Sequence, residues 1–217
     1  MRLNSAKKFA IIGVGGFGKE VLCCLIDILG EECKDISSVV NFYVDDKYLL
    51  ENSILGIDIF PLSKFNPETH QAIVAIGDPL KRKQIVDRLP SSTEYPVLLH
   101  PSAIISKWVE IGKGSIVTAG SVLTCDINLG NHAIINLNST VGHDCRIGDF
   151  FTSSPGVNIS GNCNIGNCVY IGTNASVREK ITITDNVTIG MGAVVLKNIE
   201  TPGIYGGIPA KLLQQHS

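Results

Sequence analysis

Two adjacent side chains carry the sharpest chemical signal in this 217-residue sequence. In Val141-Gly142-His143-Asp144-Cys145 an imidazole stands next to a carboxylate. An acid that orients the ring and stabilises the imidazolium is the usual arrangement for a general base near neutral pH. His132 after Asn131 and His100 before Pro101 compete for that role; His70 reads as loop and His216 as chain end. A second cluster suits phosphate. Gly13-Val14-Gly15-Gly16-Phe17-Gly18 follows an apolar strand, Phe9 to Ile12, and leads into a helical pattern from Lys19 to about Leu29. Strand, glycine turn and helix together present backbone N–H groups at a helix N-terminus, which favours a phosphate.

Two further groups belong with the glycine turn. Asp45-Asp46 closes a second strand, Val39 to Val44, and Gly77-Asp78 closes a third, Ala72 to Ile76. A basic helix start with Lys81, Arg82 and Lys83 follows. All three groups fall at carboxyl ends of strands, where open α/β sheets bind ligands. The acidic pair can accept hydrogen bonds from a base N–H or a ribose hydroxyl. It lies 27 residues past Gly18, and only three or four strands fit before residue 100. That is half a dinucleotide fold, so one nucleotide is the more economical ligand than NAD.

The elements that must hold His143 are written in a six-residue repeat. From Ile105 to Val195 every sixth residue is Ile, Leu or Val, except Ser153. Neither a helix nor an ordinary strand gives that period; a chain that turns a corner every six residues does. Two residues before each aliphatic sits a mostly small one, such as Ser115, Ser121, Ala133, Ser139, Cys145 and Cys163, and Phe151 also falls in this register. Glycine often follows the aliphatic (Gly112, Gly130, Gly142, Gly148, Gly166, Gly172, Gly190) and would relax the corner dihedrals. Three hexads make a coil, so residues eighteen apart stack. The result is a triangular prism of roughly five coils, on the order of 25 Å tall. His143, two residues past an inward Val141, points outward from a corner.

Lys, Glu and Arg are sparse in 118–142 and 148–176, so the flat outer faces suit packing against copies of the same chain, giving a homotrimer. Prolines 90, 96 and 101 mark the connection between two domains, 1–95 and 96–217. The tail from Thr201, rich in Gly and Pro, cannot continue the coils and should fold back over them. Net charge is −2, which gives no footprint for nucleic acid or an anionic membrane. No apolar run reaches the ~18–20 residues of a membrane span, and the basic start reads as no signal peptide. Seven cysteines in such a chain point to reduced thiols and a cytoplasmic location. Grouping His143, Cys145, Cys163 and Cys168 as metal ligands would turn Cys145 and Cys163 outward, against the phase, so no metal is expected.

The chain resembles the hexapeptide-repeat sugar acyltransferases, near the nucleotide-linked 4-amino-sugar N-acetyltransferases and the sialic acid O-acetyltransferases. The residues that carry the resemblance are the glycine loop, Asp45-Asp46, Ile76-Gly77-Asp78, Asn136, the run from Ser139 to Asp149, and Gly-x-Pro-Ala-Lys at Gly207 to Lys211. It implies a Rossmann-like α/β half-domain followed by an all-β left-handed parallel β-helix, a trimer, and acetyl-CoA as co-substrate. It further implies His143 as general base with Asp144 as partner. Gly13, Gly15, Gly16, Phe17, Asp45, Asp46, Gly77, Asp78 and Arg82 would bind the nucleotide sugar, a UDP or dTDP sugar with a 4-amino group, and Asn136 would line the sugar pocket. Gly172, Thr173, Gly190, Met191, Lys197 and Pro209 would hold the cofactor. Several members of the family carry a second histidine nine residues past the catalytic one; this chain has Thr152 there, whose hydroxyl can still donate one hydrogen bond to the cofactor. The product would enter a lipopolysaccharide O-antigen or another glycan. The alternatives are O-acetylation of sialic acid or another sugar hydroxyl, a non-catalytic trimeric nucleotide-binding scaffold, and an NAD-dependent enzyme.

Overall fold

The computed structural model describes residues 7–30 and 33–215, so Arg2 of the basic start and His216 lie outside the described residues. The N-terminal part runs β1 (Lys8–Ile12), α1 (Gly16–Leu29), β2 (Val40–Val44), β3 (Ser53–Ile54), β4 (Ile57–Pro61), β5 (His70–Val74) and α2 (Pro79–Arg88). The strand order is β3-β4-β2-β1-β5. Every pairing is parallel except β3 with β4. Strands β1, β2 and β5 are apolar almost throughout because helices cover both faces of the sheet. Val21, Leu22 and Leu25 of α1 pack on Phe9, Ile11, Phe42 and Ile73. Ile85 of α2 packs on Ala10, Ile12 and Val74 from the other side. The Asp78 carboxylate caps α2 by accepting from Lys81 N (3.0 Å), and Pro79 occupies the first turn. The sequence pattern had not resolved the hairpin of β3 and β4, and His70 opens β5 rather than lying in a loop.

The second part is a left-handed parallel β-helix. Sixteen short strands from Ile104–Ile105 to Val194–Val195 make five full turns and one strand more. They lie on three faces. The first face carries the strands 98–99, 116–117, 134–135, 152–153, 170–171 and 187–189; the second carries 104–105 through 194–195; the third carries 109–111 through 182–183. Stacked strands pair at a spacing of eighteen residues, as Val122 with Thr140 and Thr140 with Asn158.

The hexad column faces inward. Val117, Leu123, Ile135, Val141, Ile171 and Ile189 are fully buried, while Ile105 and Ile111 of the first coil are only partly covered. Each such burial contributes about 1.5–3 kcal/mol. The break at Ser153 is compensated on its own strand: Phe151 fills the usually small slot two residues earlier, and both are buried. Large and small have exchanged places at constant volume. The polar members of the small register satisfy backbone carbonyls fifteen residues on. Ser115 donates to Gly130 O (2.9 Å), Ser121 to Asn136 O (3.1 Å), Ser139 to Ser154 O (3.1 Å), and the Cys145 thiol to Ser160 O (3.3 Å). Cys145 and Cys163 are fully buried inside the prism, as the phase requires.

The corners correct one expectation. Left-handed φ recurs every six residues from Gly114 to Gly192, between 50 and 71°, but three residues after the aliphatic rather than one. Ten of these fourteen positions are Gly, Asn or Asp, which tolerate that region. The glycines directly after the aliphatic are small for another reason. A Cβ on Gly112 would stand 2.5 Å from the backbone of Gly130 and Asn131 in the next coil. The tail folds back over the coils: Gly203–Gly206 adds to Val187–Ile189 in parallel, and Lys211–Gln215 returns antiparallel. No helix among the described residues is long and apolar enough to cross a membrane.

The α/β part sits on the first face. Leu98, Ile116 and Ile134 point outward from it, yet they are at most 1 % exposed and belong to the same cluster as Phe9, Val21 and Leu25.

Candidate active site

His143 stands on the edge between the second and third faces, just after the strand Thr140–Val141. Its Nδ1 lies 2.5 Å from Asp144 Oδ2. With Nδ1–H donating to the carboxylate, Nε2 is left as the free acceptor. The hydrogen bond to His143 holds the Asp144 carboxyl below the usual range, so it stays ionised. Asp144 takes left-handed φ (59°), which turns its short side chain back toward the ring. One coil later the ring meets Gly161: a Cβ there would lie 2.6 Å from Nε2 and 2.7 Å from Cε1. The imidazole is therefore held between Asp144 and a missing side chain, while more than half of it faces solvent.

In the α/β part, Gly13 (φ 122°) packs its Cα against Ala75 O, and Gly18 packs against the Gly13 carbonyl. Gly15 caps α1 with no side-chain hydrogen bond, and both Gly15 and Gly16 face open space. Phe17 is half-buried in the α1 core. The acidic pair is already partnered. Arg88 grips Asp45 with two bonds (2.6 and 3.1 Å) and pulls its pKa below the usual range. Asp46 accepts from Ser63 Oγ (2.7 Å) and Ser63 N (3.3 Å), which lower its pKa likewise. These groups, with Phe65 and Pro90, line a hollow of about 590 Å³. Val14, Lys19, Val44 and Tyr48 line another of about 310 Å³.

Three sequence expectations change at the seam between the two parts. Arg82 is 1 % exposed. Its Nε donates to His132 O (2.9 Å), Nη1 to Ile76 O (2.5 Å) and Gly77 O (3.1 Å), and Nη2 to Phe150 O (2.8 Å), Phe151 O (3.0 Å) and Thr152 Oγ1 (2.9 Å). All five N–H groups are used, so none remains for a nucleotide; Arg82 bolts the Gly77 loop to the coils. Burial pulls its pKa down to about 9, still above neutrality, so it remains charged. The Thr152 hydroxyl gives its one proton to Gly77 O (2.8 Å) and has none for a cofactor. His132 is a packing residue. It stacks on Phe150 (centroids 5.1 Å apart) and meets the edge of Tyr95 (4.6 Å), and burial, then Arg82 and Lys113, push its pKa down to about 4. His100 ties the first coil to α1 through Asp27 (2.8 Å).

The remaining expected residues divide between two edges. Lys197 stands in the stack of His143, Gly161 and Glu179, three coils above the imidazole, and is exposed. Asn136, Gly172 and Gly190 share the other edge, between the first and second faces, with Thr173 and Met191 beside them. There a Cβ on Gly172 would lie 2.6 Å from Met191 N, Thr173 O accepts from Gly192 N (2.8 Å), and Met191 is 80 % exposed. Asn136 turns its Oδ1 to Leu137 N (2.8 Å). Pro209 is exposed in the tail that crosses the last coil, next to Ala210, whose N–H reaches Val194 O (2.8 Å). Gly77 and Asp78 line a cleft between α2 and the first face. Within one chain, His143 and the Asn136–Met191 group thus occupy different edges of the prism. Sequence reasoning missed Arg88, Ser63 and Gly161; the eighteen-residue stack pointed to Gly161, but nothing in the sequence pointed to the other two.

Residues 8–89 match the PglD N-terminal domain family. Comparison with curated proteins gave no match. The acetyltransferase domain of PglB from Neisseria gonorrhoeae FA1090 is similar over 95 % of this chain and 100 % of its own, at 32 % identity and a TM-score of 0.85, and it has also been solved with acetyl coenzyme A. Perosamine N-acetyltransferase from Caulobacter crescentus, as a histidine-to-asparagine variant with CoA and GDP-perosamine, matches 96 % of this chain and 97 % of its own, at 26 % identity and a TM-score of 0.85. WeeI from Acinetobacter baumannii AYE matches 95 % and 100 %, at 27 % identity and a TM-score of 0.87.

Proposed function

Because the chain belongs to the hexapeptide-repeat sugar acyltransferases, we propose that it moves the acetyl group of acetyl-CoA onto the amine of a nucleotide-linked 4-amino-4,6-dideoxy sugar. The observation that carries this reading is the end-to-end similarity to a domain solved with acetyl coenzyme A, in a chain that seats the outward His143–Asp144 pair on a rigid edge. It is an acetyl-CoA-dependent sugar acetyltransferase, and the amine, the nucleotide (UDP or dTDP) and the residue roles are the finer reading. The nucleotide lies at Gly13, Gly15, Gly16, Phe17, Asp45, Asp46 and Gly77, with its diphosphate on the open N-terminus of α1.

His143 Nε2 takes a proton from the sugar amine as the amine nitrogen bonds to the thioester carbonyl carbon. Asp144 stabilises the imidazolium so formed. A coil N–H steadies the oxyanion, the C–S bond then breaks, and the proton passes to the leaving thiolate. Much of the rate comes from holding both substrates in one groove. Asn136, Gly172, Thr173, Gly190 and Met191 line that groove from one chain, and His143 and Lys197 come from the edge of its neighbour. A parallel trimer brings those two edges together, which is why we read the assembly as a closed ring of three. Residues 1–95 and 96–217 act as nucleotide domain and transfer domain. The test is a panel of UDP-, dTDP- and GDP-linked 4-amino sugars with acetyl-CoA. We expect a product that survives mild hydroxylamine, as an amide does; a hydroxylamine-labile ester would replace this reading with O-acetylation.

A further inference from the structure

The corner that carries His143 holds more charge than the transfer step uses. One coil below, Asp126 takes the same left-handed backbone as Asp144 (φ 50 and 59°). The two carboxylates therefore stack at one corner, and their side chains come within hydrogen-bonding range. Left alone, such a pair repels, and one member is driven to hold a proton. Arg146 prevents this. It stands outward on the third face, on the strand Arg146–Ile147, and reaches back across the coil. Its Nη2 donates to Asp126 Oδ1 (2.9 Å), and its Nη1 to Asp126 O (2.7 Å) and Cys145 O (3.2 Å). Three bonds, two of them to backbone, fix the guanidinium at the corner although half of it faces solvent. Its charge also reaches Asp144, whose carboxyl is held below the usual range by the hydrogen bond to His143 first, then by Asp126 and the charges of His143 and Arg146.

The remaining neighbours of the imidazole add no charge at close range. The coil above meets the ring with Gly161 and presents Ser160, Asn162 and Asn164 around it. The coil below carries Cys125, whose carbonyl accepts from Asp144 N (3.1 Å) and whose thiol is exposed. The Cys145 and Cys163 thiols are buried inside the prism. Two coils below, Lys107 lies over the Trp108 ring (4.5 Å) and Glu110 accepts from Asn128 (3.2 Å). Arg178, Glu179 and Lys180 stand two coils above, beyond Gly161. Among the described residues, the charges within one coil of His143 are Asp144, Asp126 and Arg146.

We propose that Asp126 and Arg146 are positioning residues for the reaction: the ion pair holds the charge beside His143 at a single net negative, so that the ring can give up its proton near neutral pH. The inference rests on the acetyl-transfer reading with His143 as its base. The signs follow from electrostatics. Without Arg146, two carboxylates face the ring and favour the imidazolium. Without the Asp126 charge, the imidazolium loses an anion and gains an unpaired guanidinium nearby.

The experiment reads the imidazole twice at low ionic strength: by the NMR titration midpoint of its ring signal, assigned by its loss in His143→Ala, and by the acid limb of kcat/KM for acetyl transfer. The proteins are wild type, Arg146→Met, Asp126→Asn, the double variant and Arg146→Lys. Asparagine tolerates the left-handed φ at 126, and both partners are exposed, so each variant should fold. A unit charge about one coil away in a water-like medium moves a titration by about half a pH unit. Arg146→Met should raise the midpoint by about that amount and Asp126→Asn should lower it by as much. The double variant and Arg146→Lys, which keep the net charge, should stay close to wild type, and the acid limb should follow each shift. Midpoints of both single variants that coincide with wild type overturn the proposal. Shifted midpoints with an unmoved acid limb overturn His143 as the base, and the positioning role with it. Shifted midpoints in a protein that acetylates no amino sugar overturn the acetyl-transfer reading, and with it the catalytic use of the pair.

Discussion

Gly161→Ala is a small change aimed at the imidazole alone. The new methyl would meet His143 Nε2 at 2.6 Å and Cε1 at 2.7 Å. Ordinary van der Waals contact begins near 3.4 Å on the same scale, so the ring must retreat by about 1 Å. Gly161 is not among the glycines with left-handed φ, so alanine fits its backbone. The ring is more than half exposed and can swing aside, so the fold has little to lose. Removing a glycine also restricts the unfolded chain, worth about 0.4–1 kcal/mol in favour of folding. Stability should therefore stay level or rise slightly. Catalysis should not, because a displacement of about 1 Å costs on the order of 10²-fold in rate. The assay is kcat at saturating concentrations of both substrates, beside a thermal melt of the same sample. We expect kcat to fall about 10–100-fold with an unchanged melt. A kcat within about threefold of wild type would refute the claim that the Asp144–Gly161 setting of His143 governs the rate.

Two other perturbations probe the seam. Arg82→Met removes six hydrogen bonds and strands the Ile76 and Gly77 carbonyls, a loss of about 3–5 kcal/mol by analogy with breaking a buried charged contact. At about 2–4 °C per kcal/mol for a chain of this size, the first thermal transition should drop by at least about 6 °C, and a shift under 2 °C would show that the bolt is dispensable. His132 gives a pH signature: its folded pKa, about 4, lies below the ordinary histidine value, so the unfolded chain takes up the proton first. Its contribution is fully present above about pH 6.5 and is lost as pH falls toward 4, by up to about 3 kcal/mol. His132→Asn, which tolerates the left-handed φ, should flatten melting temperature against pH across that window; a slope equal to that of wild type would place the proton elsewhere.

The prism was legible because its signal is local and repeated. A column of aliphatics at period six has one geometric solution, and the inward slots followed from the same phase. The Asn, Asp and Gly positions three residues later are equally readable as corners, whereas Gly112 and Gly130 are small because of the neighbouring coil rather than their own φ. Ser153 read as a break because Phe151 was weighed in a separate register, whereas the strand conserves the sum of the two volumes. His143 with Asp144 was readable as a contact between sequence neighbours. Arg82 and Thr152 were not, because most of their partners are oxygens 50 to 75 residues away on the other side of the seam. A basic residue at a helix start beside a glycine loop looks like a phosphate ligand until the coils supply the acceptors. The pairing of Asp45 with Arg88 likewise depends on where α2 ends relative to β2.

The most direct trial of the catalytic account is kcat of His143→Ala with saturating acetyl-CoA and amino sugar. We expect a fall of about 10²–10⁴-fold, the usual worth of a general base, in a protein whose circular dichroism and melting match wild type. Near-normal turnover from that variant would contradict the account, since among the described residues the other coil histidines are tied up in packing the α/β part, His132 between aromatic rings and His100 against Asp27 of α1.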